Sequence, residues 1–506
     1  MGIVKRQSMW NLISGYLGVF FGAINGLFLF PWAFPNSPEE MGLVRWVISA
    51  SLILGAFSHL GWPQAVVTFF PRINSALHSK ILNQGLLASG ICLFIFLLIS
   101  MFTRDSLISF FLKGSSNSSF WFVFPFAATY IIFELYSSQL IHNQKVILSY
   151  WLKDTGRKLL LTLLLIGFGL GIISNLNTFL YLLLLGYAFY ALIVFIAVKN
   201  IKITVKDFST TWPQNEMIRY SLVMVLTAGA QMSFGQLDIL MVGSFLGLAA
   251  VAQYSIAFSF GIVVAMPMKA MNASLRPIIS KYVADENWSE LRTLGMRSLS
   301  NQWVVSSFLF FIVLSVSPWI FEILPEVYQG GQSALIWVAA AQLVNVSTGP
   351  SGLVLVASKK FRWELYANLT LILFALIVGS IYIPSLGVEG AAKTFFSAVV
   401  IYNLVKLIAL YKLTGDLWLG TKFLKALVWL VLGVIAHFLF WNLIFLLKSK
   451  HMVLILEPSF QQLFYLIVSF VEILIFFVWT LLGLYILNLA SDLRSSLNQI
   501  LNNNKK

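Results

Sequence analysis

Runs of apolar residues long enough to cross a bilayer recur from one end of the chain to the other, separated by short polar segments. About fourteen fit, at roughly 9–30, 43–70, 81–102, 119–141, 158–174, 178–198, 217–242, 248–272, 299–321, 332–356, 365–383, 387–411, 423–446 and 460–488. In lipid a backbone must satisfy its own hydrogen bonds, so such runs read as helices. The pattern predicts an all-α polytopic membrane protein, with no segment between spans large enough to fold as a soluble domain.

The spans also carry a weak internal repeat with an offset of roughly 205–210 residues, the kind of symmetry found in transporters. An outer loop leads into span 2 as EEMGLVRW and into span 8 as GLAAVAQYS; these spans end in FFPRI (69–73) and LRPII (275–279). Six spans per copy is an even number, so both copies share one orientation. The expected organisation is two parallel six-helix lobes, 1–212 and 213–418, and an appended helix pair with a cytoplasmic tail, 419–506. Parallel repeats place a cavity between the lobes.

Composition and charge sharpen this picture. The 506 residues are 59% hydrophobic and 10% charged, against roughly 25% charged in soluble domains. The net charge of +14 would suggest nucleic acid in a soluble protein. Here most lysines and arginines fall in alternate loops, among them Lys5, Arg6, Lys153, Arg157, Lys158, Lys199, Lys281 and Lys359. That is the positive-inside pattern, and it puts both termini in the cytoplasm. Arg104, Lys113, Lys448 and Lys450 fall in outer loops as exceptions. The run after Lys5-Arg6 lacks a small-x-small cleavage site and reads as a retained anchor. Cys92 is the sole cysteine, which excludes an intramolecular disulfide or a cysteine metal cluster. There is no GxxxxGK[ST], HExxH or GxSxG motif, so no enzyme activity, cofactor or metal is expected.

Charges within spans are the sharpest functional signal, because each costs roughly 2.5–3.5 kcal/mol at the bilayer centre and should face a cavity or a partner. The cations are Arg45, Lys269, Lys393 and Lys406, and together they offer positive charge along a path for an anionic substrate. Snorkelling to the headgroups is the competing explanation. The carboxylates are Glu134, Asp238 and Glu472; each is a candidate for H+ or Na+ coupling or for charge pairing. Thr227, Gln231 and Asp238 share one face of span 7, and Gln342, Asn345 and Ser347-Thr348 add polar groups in span 10. Span 1 shows Asn11, Gly15, Gly18, Gly22 and Asn25 along a comparable stripe, readable as cavity lining or as close helix packing. His59 and His437 read as hydrogen-bonded core residues.

The opening KRQSMWNLISGYLG, the EEMGLVRW lead and GQLDILMVGSFLGLAAVAQYSIAF across spans 7 and 8 resemble polysaccharide flippases of the multidrug/oligosaccharidyl-lipid/polysaccharide exporter superfamily. The resemblance covers nearly the whole chain. It implies alternating access that moves an undecaprenyl-pyrophosphate-linked oligosaccharide, such as an O-antigen unit of lipopolysaccharide or a capsule unit, across the bacterial inner membrane. It further implies that Arg45 and Lys269 meet the pyrophosphate, that the appended pair forms a groove for the lipid tail, and that a polysaccharide polymerase and glycosyltransferases are candidate partners of a monomer. A cation-coupled multidrug exporter of the same superfamily is the alternative. A membrane polymerase or glycosyltransferase would need a longer outer loop, and a passive scaffold would leave the in-span charges unexplained.

Overall fold

The computed structural model describes residues 13–15, 17–111, 119–143, 145–198, 214–233, 235–358, 362–418, 421–447 and 458–487. Among these the chain is helical almost throughout and contains no strand. Ten helices are long and apolar enough to cross a membrane, and the bent pair Glu326–Val346 and Ser351–Ala357 brings the number to eleven among the described residues. The other expected spans are present as helices that are merged, broken or extended.

The two spans expected at 365–383 and 387–411 run together as Arg362–Thr414, interrupted at Gly387 by φ 63° and ψ −142°. The span expected at 217–242 is broken into Gln214–Ser233 and Leu237–Leu246. Span 2 divides into Pro38–Ser58 and Trp62–Phe69 around Gly61, whose φ of +67° favours glycine. A Cβ on Gly61 would also lie 2.2 Å from the Ser221 carbonyl oxygen. His59 closes this break, its Nδ1 accepting the Gly61 N–H at 3.1 Å, so it is the hydrogen-bonded core residue expected.

The span expected at 158–174 starts further upstream. Segments of 5, 6 and 13 residues, Val146–Tyr150, the π-helical Trp151–Gly156 and Arg157–Gly169, follow one another without a break. At 1.5 Å per residue they make a rod of about 36 Å, enough to cross the hydrocarbon core. Lys153, Arg157 and Lys158, assigned from sequence to an inner loop, therefore sit near the middle of a helix.

The chain divides into two compact units, Met1–Ile256 with Leu371–Ala391, and Ala257–Thr370 with Ala392–Lys506. In the first, Val123–His142 is the central helix, packed by Pro38–Ser58, Trp62–Phe69, His78–Phe102 and Leu176–Ala197. Phe133, Tyr136 and Leu140 on it bury against Ala191, Val194 and Val198. The Ser75–Phe102 helix instead leaves Leu87, Ile91, Phe94, Ile95, Leu98 and Ile99 exposed, a face suited to lipid. In the second unit Trp288–Ile323 is the central helix, contacting Met266–Ala284, Gln332–Val346, Thr421–Leu447 and Pro458–Ile486.

Candidate functional site

The first unit gathers its charges around the middle of the 146–169 rod. Lys153 and Arg157 are four residues apart and share a face, as do Asp154, Lys158 and Thr162. Lys153 Nζ pairs with Glu134 Oε1 at 2.7 Å. The Arg157 guanidinium stands 4.3 Å from the Phe133 ring centroid and 5.7 Å from those of Tyr130 and Tyr187. Such rings attract a cation with their faces and leave its N–H edge available. Arg157, Tyr130, Tyr187, Ser51 and Thr129 also line a crevice of about 10 Å³, room for roughly one water.

Arg45, on Pro38–Ser58, stands 4.7 Å from the ring of the buried Phe30. It interacts electrostatically with Tyr187 and with Lys158. Asp154 in turn interacts with Lys153, Lys158 and Arg157. Four cations, Arg45, Lys153, Arg157 and Lys158, thus share two carboxylates, Glu134 and Asp154. The surplus is positive, and the rings that hold Arg157 carry no formal charge to cancel it.

The N-terminal helix locks this arrangement. Asn25, 2% exposed and first residue of a π-helical turn, donates Nδ2–H to the Lys158 carbonyl at 2.9 Å, and its Oδ1 accepts from Thr162 at 2.7 Å. A Cβ on Gly18 would lie 2.3 Å from the Asp154 carbonyl oxygen, and one on Gly22 3.3 Å from the Lys158 side chain. The glycines therefore let two backbones touch, the packing use of small residues in lipid. Gly15 has no neighbour within 4 Å, and Asn11 lies outside the described residues.

The other expected residues fall into separate clusters. Asp238 opens Leu237–Leu246; its Oδ2 accepts the Tyr254 hydroxyl and its Oδ1 the Ile239 N–H at 2.9 Å, so a phenol is its side-chain partner. Thr227 and Gln231 are on Gln214–Ser233, but their side chains lie outside the described residues.

In the second unit Lys393 stands 5.4 Å from the Trp337 ring. Lys406 is 6% exposed and lies 4.8 Å from the ring of Tyr402, whose hydroxyl donates to Glu364 Oε1 at 2.8 Å. Gly352 makes room for this group: a Cβ there would be 3.4 Å from Lys406 Nζ and 3.7 Å from Glu364 Oε2. Gln342 is buried, and Asn345 meets Asn403 at 3.5 Å while Thr348 donates to Asn403 Oδ1 at 2.8 Å. Lys269 is exposed on Met266–Ala284, two residues after Pro267. Glu472, 1% exposed, accepts from His437 Nδ1 at 2.6 Å and Trp441 Nε1 at 2.8 Å.

Sequence reasoning missed Lys153, Arg157 and Lys158 as site residues and did not consider Glu364 or Tyr254. The signal for the first three was present. The apolar Val146–Tyr150 stretch before them and the four-residue spacing of both charge pairs extend the helical period upstream of the apolar run.

Comparison with known proteins adds the fold class. Residues 224–381 match the MatE family model. A solved lipid II flippase MurJ in an inward closed conformation superposes with a TM-score of 0.65 at 14% identity, over 93% of this chain and 97% of that one. The chain shares its fold. An inward-facing multidrug resistance MATE family transporter of the MOP superfamily gives 0.58 at 15% identity, over 82% and 96%. A variant of the Vibrio cholerae MATE transporter VcmN gives 0.50 at 15%, over 83% and 100%. No curated protein sequence matches. The all-α polytopic class expected from the sequence is therefore observed, and the structural neighbours are transporters rather than enzymes.

Proposed function

We propose that this chain is a flippase that carries an undecaprenyl-pyrophosphate-linked oligosaccharide across the bacterial inner membrane during assembly of a surface polysaccharide. The observation that supports this reading is the surplus of positive charge in the first unit, where Arg45, Lys153, Arg157 and Lys158 stand against the two carboxylates Glu134 and Asp154, within helices of membrane-spanning length. A pyrophosphate leaving water needs its hydration replaced, and charge-assisted N–H···O bonds replace it most effectively. An organic cation would be repelled there. The proposed working parts are two six-helix lobes, 1–212 and 213–418, exchanging access around the substrate, with the pair in 419–506 beside its lipid tail. Both termini are cytoplasmic in this scheme, and Lys269, Lys393 and Lys406 extend the cationic path.

A second reading, the cation-coupled multidrug exporter, draws support from the two carboxylate–phenol contacts, Asp238 with Tyr254 and Glu364 with Tyr402. A carboxylate held by a phenol can take up a proton without losing its partner.

Reconstitution separates the two. Vesicles holding the full chain should translocate a fluorescent lipid-linked oligosaccharide, and Arg45→Ala or Arg157→Ala should slow this at least tenfold, about the loss of one charge-assisted contact. Equal rates for these variants and the parent would refute the phosphate role. Uptake of an organic cation driven by an imposed proton or sodium gradient and abolished by Asp238→Asn would favour the exporter.

A further inference from the structure

The second unit holds a cavity that the phosphate site does not explain. It has a volume of about 400 Å³, within the range of small-molecule sites. It lies where the end of Trp288–Ile323, the start of Gln332–Val346, the later half of Thr421–Leu447 and the start of Pro458–Ile486 come together. The charge pattern of the sequence assigns these ends to the outer side.

The lining is distinctive. Gln329, Gln332, Asn442, Glu322 and His437 supply amides, a carboxylate and an imidazole, and among the described residues no lysine or arginine lines it. Trp441 and Tyr465 form a stacked pair, centroids 6.1 Å apart and planes at 24°, on the same wall.

Several groups on this wall are fixed in place. Glu472 lies behind it, and a carboxylate this buried is costly unless its oxygens are engaged. His437 and Trp441 occupy both of them, which sets the orientation of the imidazole and the indole. With Nδ1 committed to Glu472, Nε2 is the His437 ring nitrogen left for a ligand. Gln329 donates Nε2–H to the Leu324 carbonyl at 3.2 Å, which leaves its Oε1 to accept. Pro318 removes a helical donor beside the cavity, and Ser317 satisfies the freed Leu314 carbonyl with its hydroxyl at 2.9 Å.

A ligand for this wall has a flat apolar face for the indole and phenol and a rim of groups that both donate and accept. With Glu322 among the lining groups and no cation among the described ones, the wall suits a neutral ligand better than a phosphate. We infer that the cavity is a binding site for a neutral sugar ring. The C–H face of the ring would lie against Trp441 and Tyr465, and its hydroxyls would meet Gln329, Gln332, Asn442, Glu322 and His437 Nε2. The inference stands on this cavity alone and does not require the phosphate reading.

Saturation-transfer NMR on the full chain in detergent micelles tests it, with glucose, galactose and N-acetylglucosamine as probes and glucuronic acid and inorganic pyrophosphate as charged competitors. At least one neutral sugar should receive saturation. The signal should fall at least fivefold in Tyr465→Ala and in the double variant Gln332→Ala with Asn442→Ala, whose side chains are peripheral enough to leave the fold intact. Pyrophosphate should not displace the sugar. No transfer to any of the three neutral sugars, transfer unchanged in the variants, or displacement by pyrophosphate would each overturn the assignment. Failure of lipid-linked substrate to cross vesicles would bear on the proposed function and not on this site.

Discussion

The first unit and the last two helices hold charge inside apolar surroundings in opposite ways. Around Arg157 the charges are unbalanced: four cations share two carboxylates, and Arg157 itself rests on rings. Around Glu472 one buried carboxylate receives two donors, and each partner belongs to the facing helix. Interactions closed on themselves hold helices together; on the proposed function, a surplus of one sign would meet an anionic substrate. The difference separates positions whose loss should damage the fold from those whose loss should damage transport.

The largest expected effect on stability comes from Glu472→Ala. Removing the acceptor strands His437 and Trp441 in a buried place, a loss of about 3–5 kcal/mol. Thermal unfolding in detergent should show a large fall in Tm, and an unchanged Tm would make the network dispensable. Gly18→Ala comes next. It forces a methyl into the Asp154 carbonyl and should cost about 1–3 kcal/mol by overpacking. It should also weaken transport by displacing Lys158, so a variant of full stability and full rate would deny that this helix contact sets the cationic cluster. The smallest change in stability is expected for Lys269→Ala, within about 0.5 kcal/mol because the side chain is exposed. A normal Tm with loss of lipid-linked transport would place Lys269 with the surplus cations; normal transport would remove it from the path.

Much of the architecture was legible in the sequence because lipid imposes one rule on every span. Length and apolarity located the segments and the boundary near Gly387, whereas the break at Gly61 lay inside a span expected to be continuous. The pairing of Glu134 with a cation from the inner-side charge run was also readable. Position within the membrane was harder to read. A Lys-Asp-Thr-Gly-Arg-Lys run looks like a loop when helices are recognised by hydropathy, since that measure scores each residue as if alone. The pairing of Lys153 with Glu134 and the seating of Arg157 on the Phe133 ring depend on neighbours distant in sequence. For the same reason the ambiguity of the span 1 stripe resolved only with geometry: Gly18 and Gly22 serve close approach, and Asn25 ties the same two helices together.

The π-helical turn at Trp151–Gly156 gives that rod a mechanical property. Such a turn carries one residue more than its α counterpart, so the two halves of the rod are held out of phase by about 100°, the angle that one residue occupies in an α-helix. Relaxation to regular α bonding would turn everything on the far side by that amount and swing the Arg157 guanidinium off its aromatic seat. The contacts of the first helix fall at and just beyond this turn: Ser14 meets the Thr155 hydroxyl, Gly18 lies against the Asp154 carbonyl and Asn25 bonds the Lys158 carbonyl, so any such rotation would have to break them.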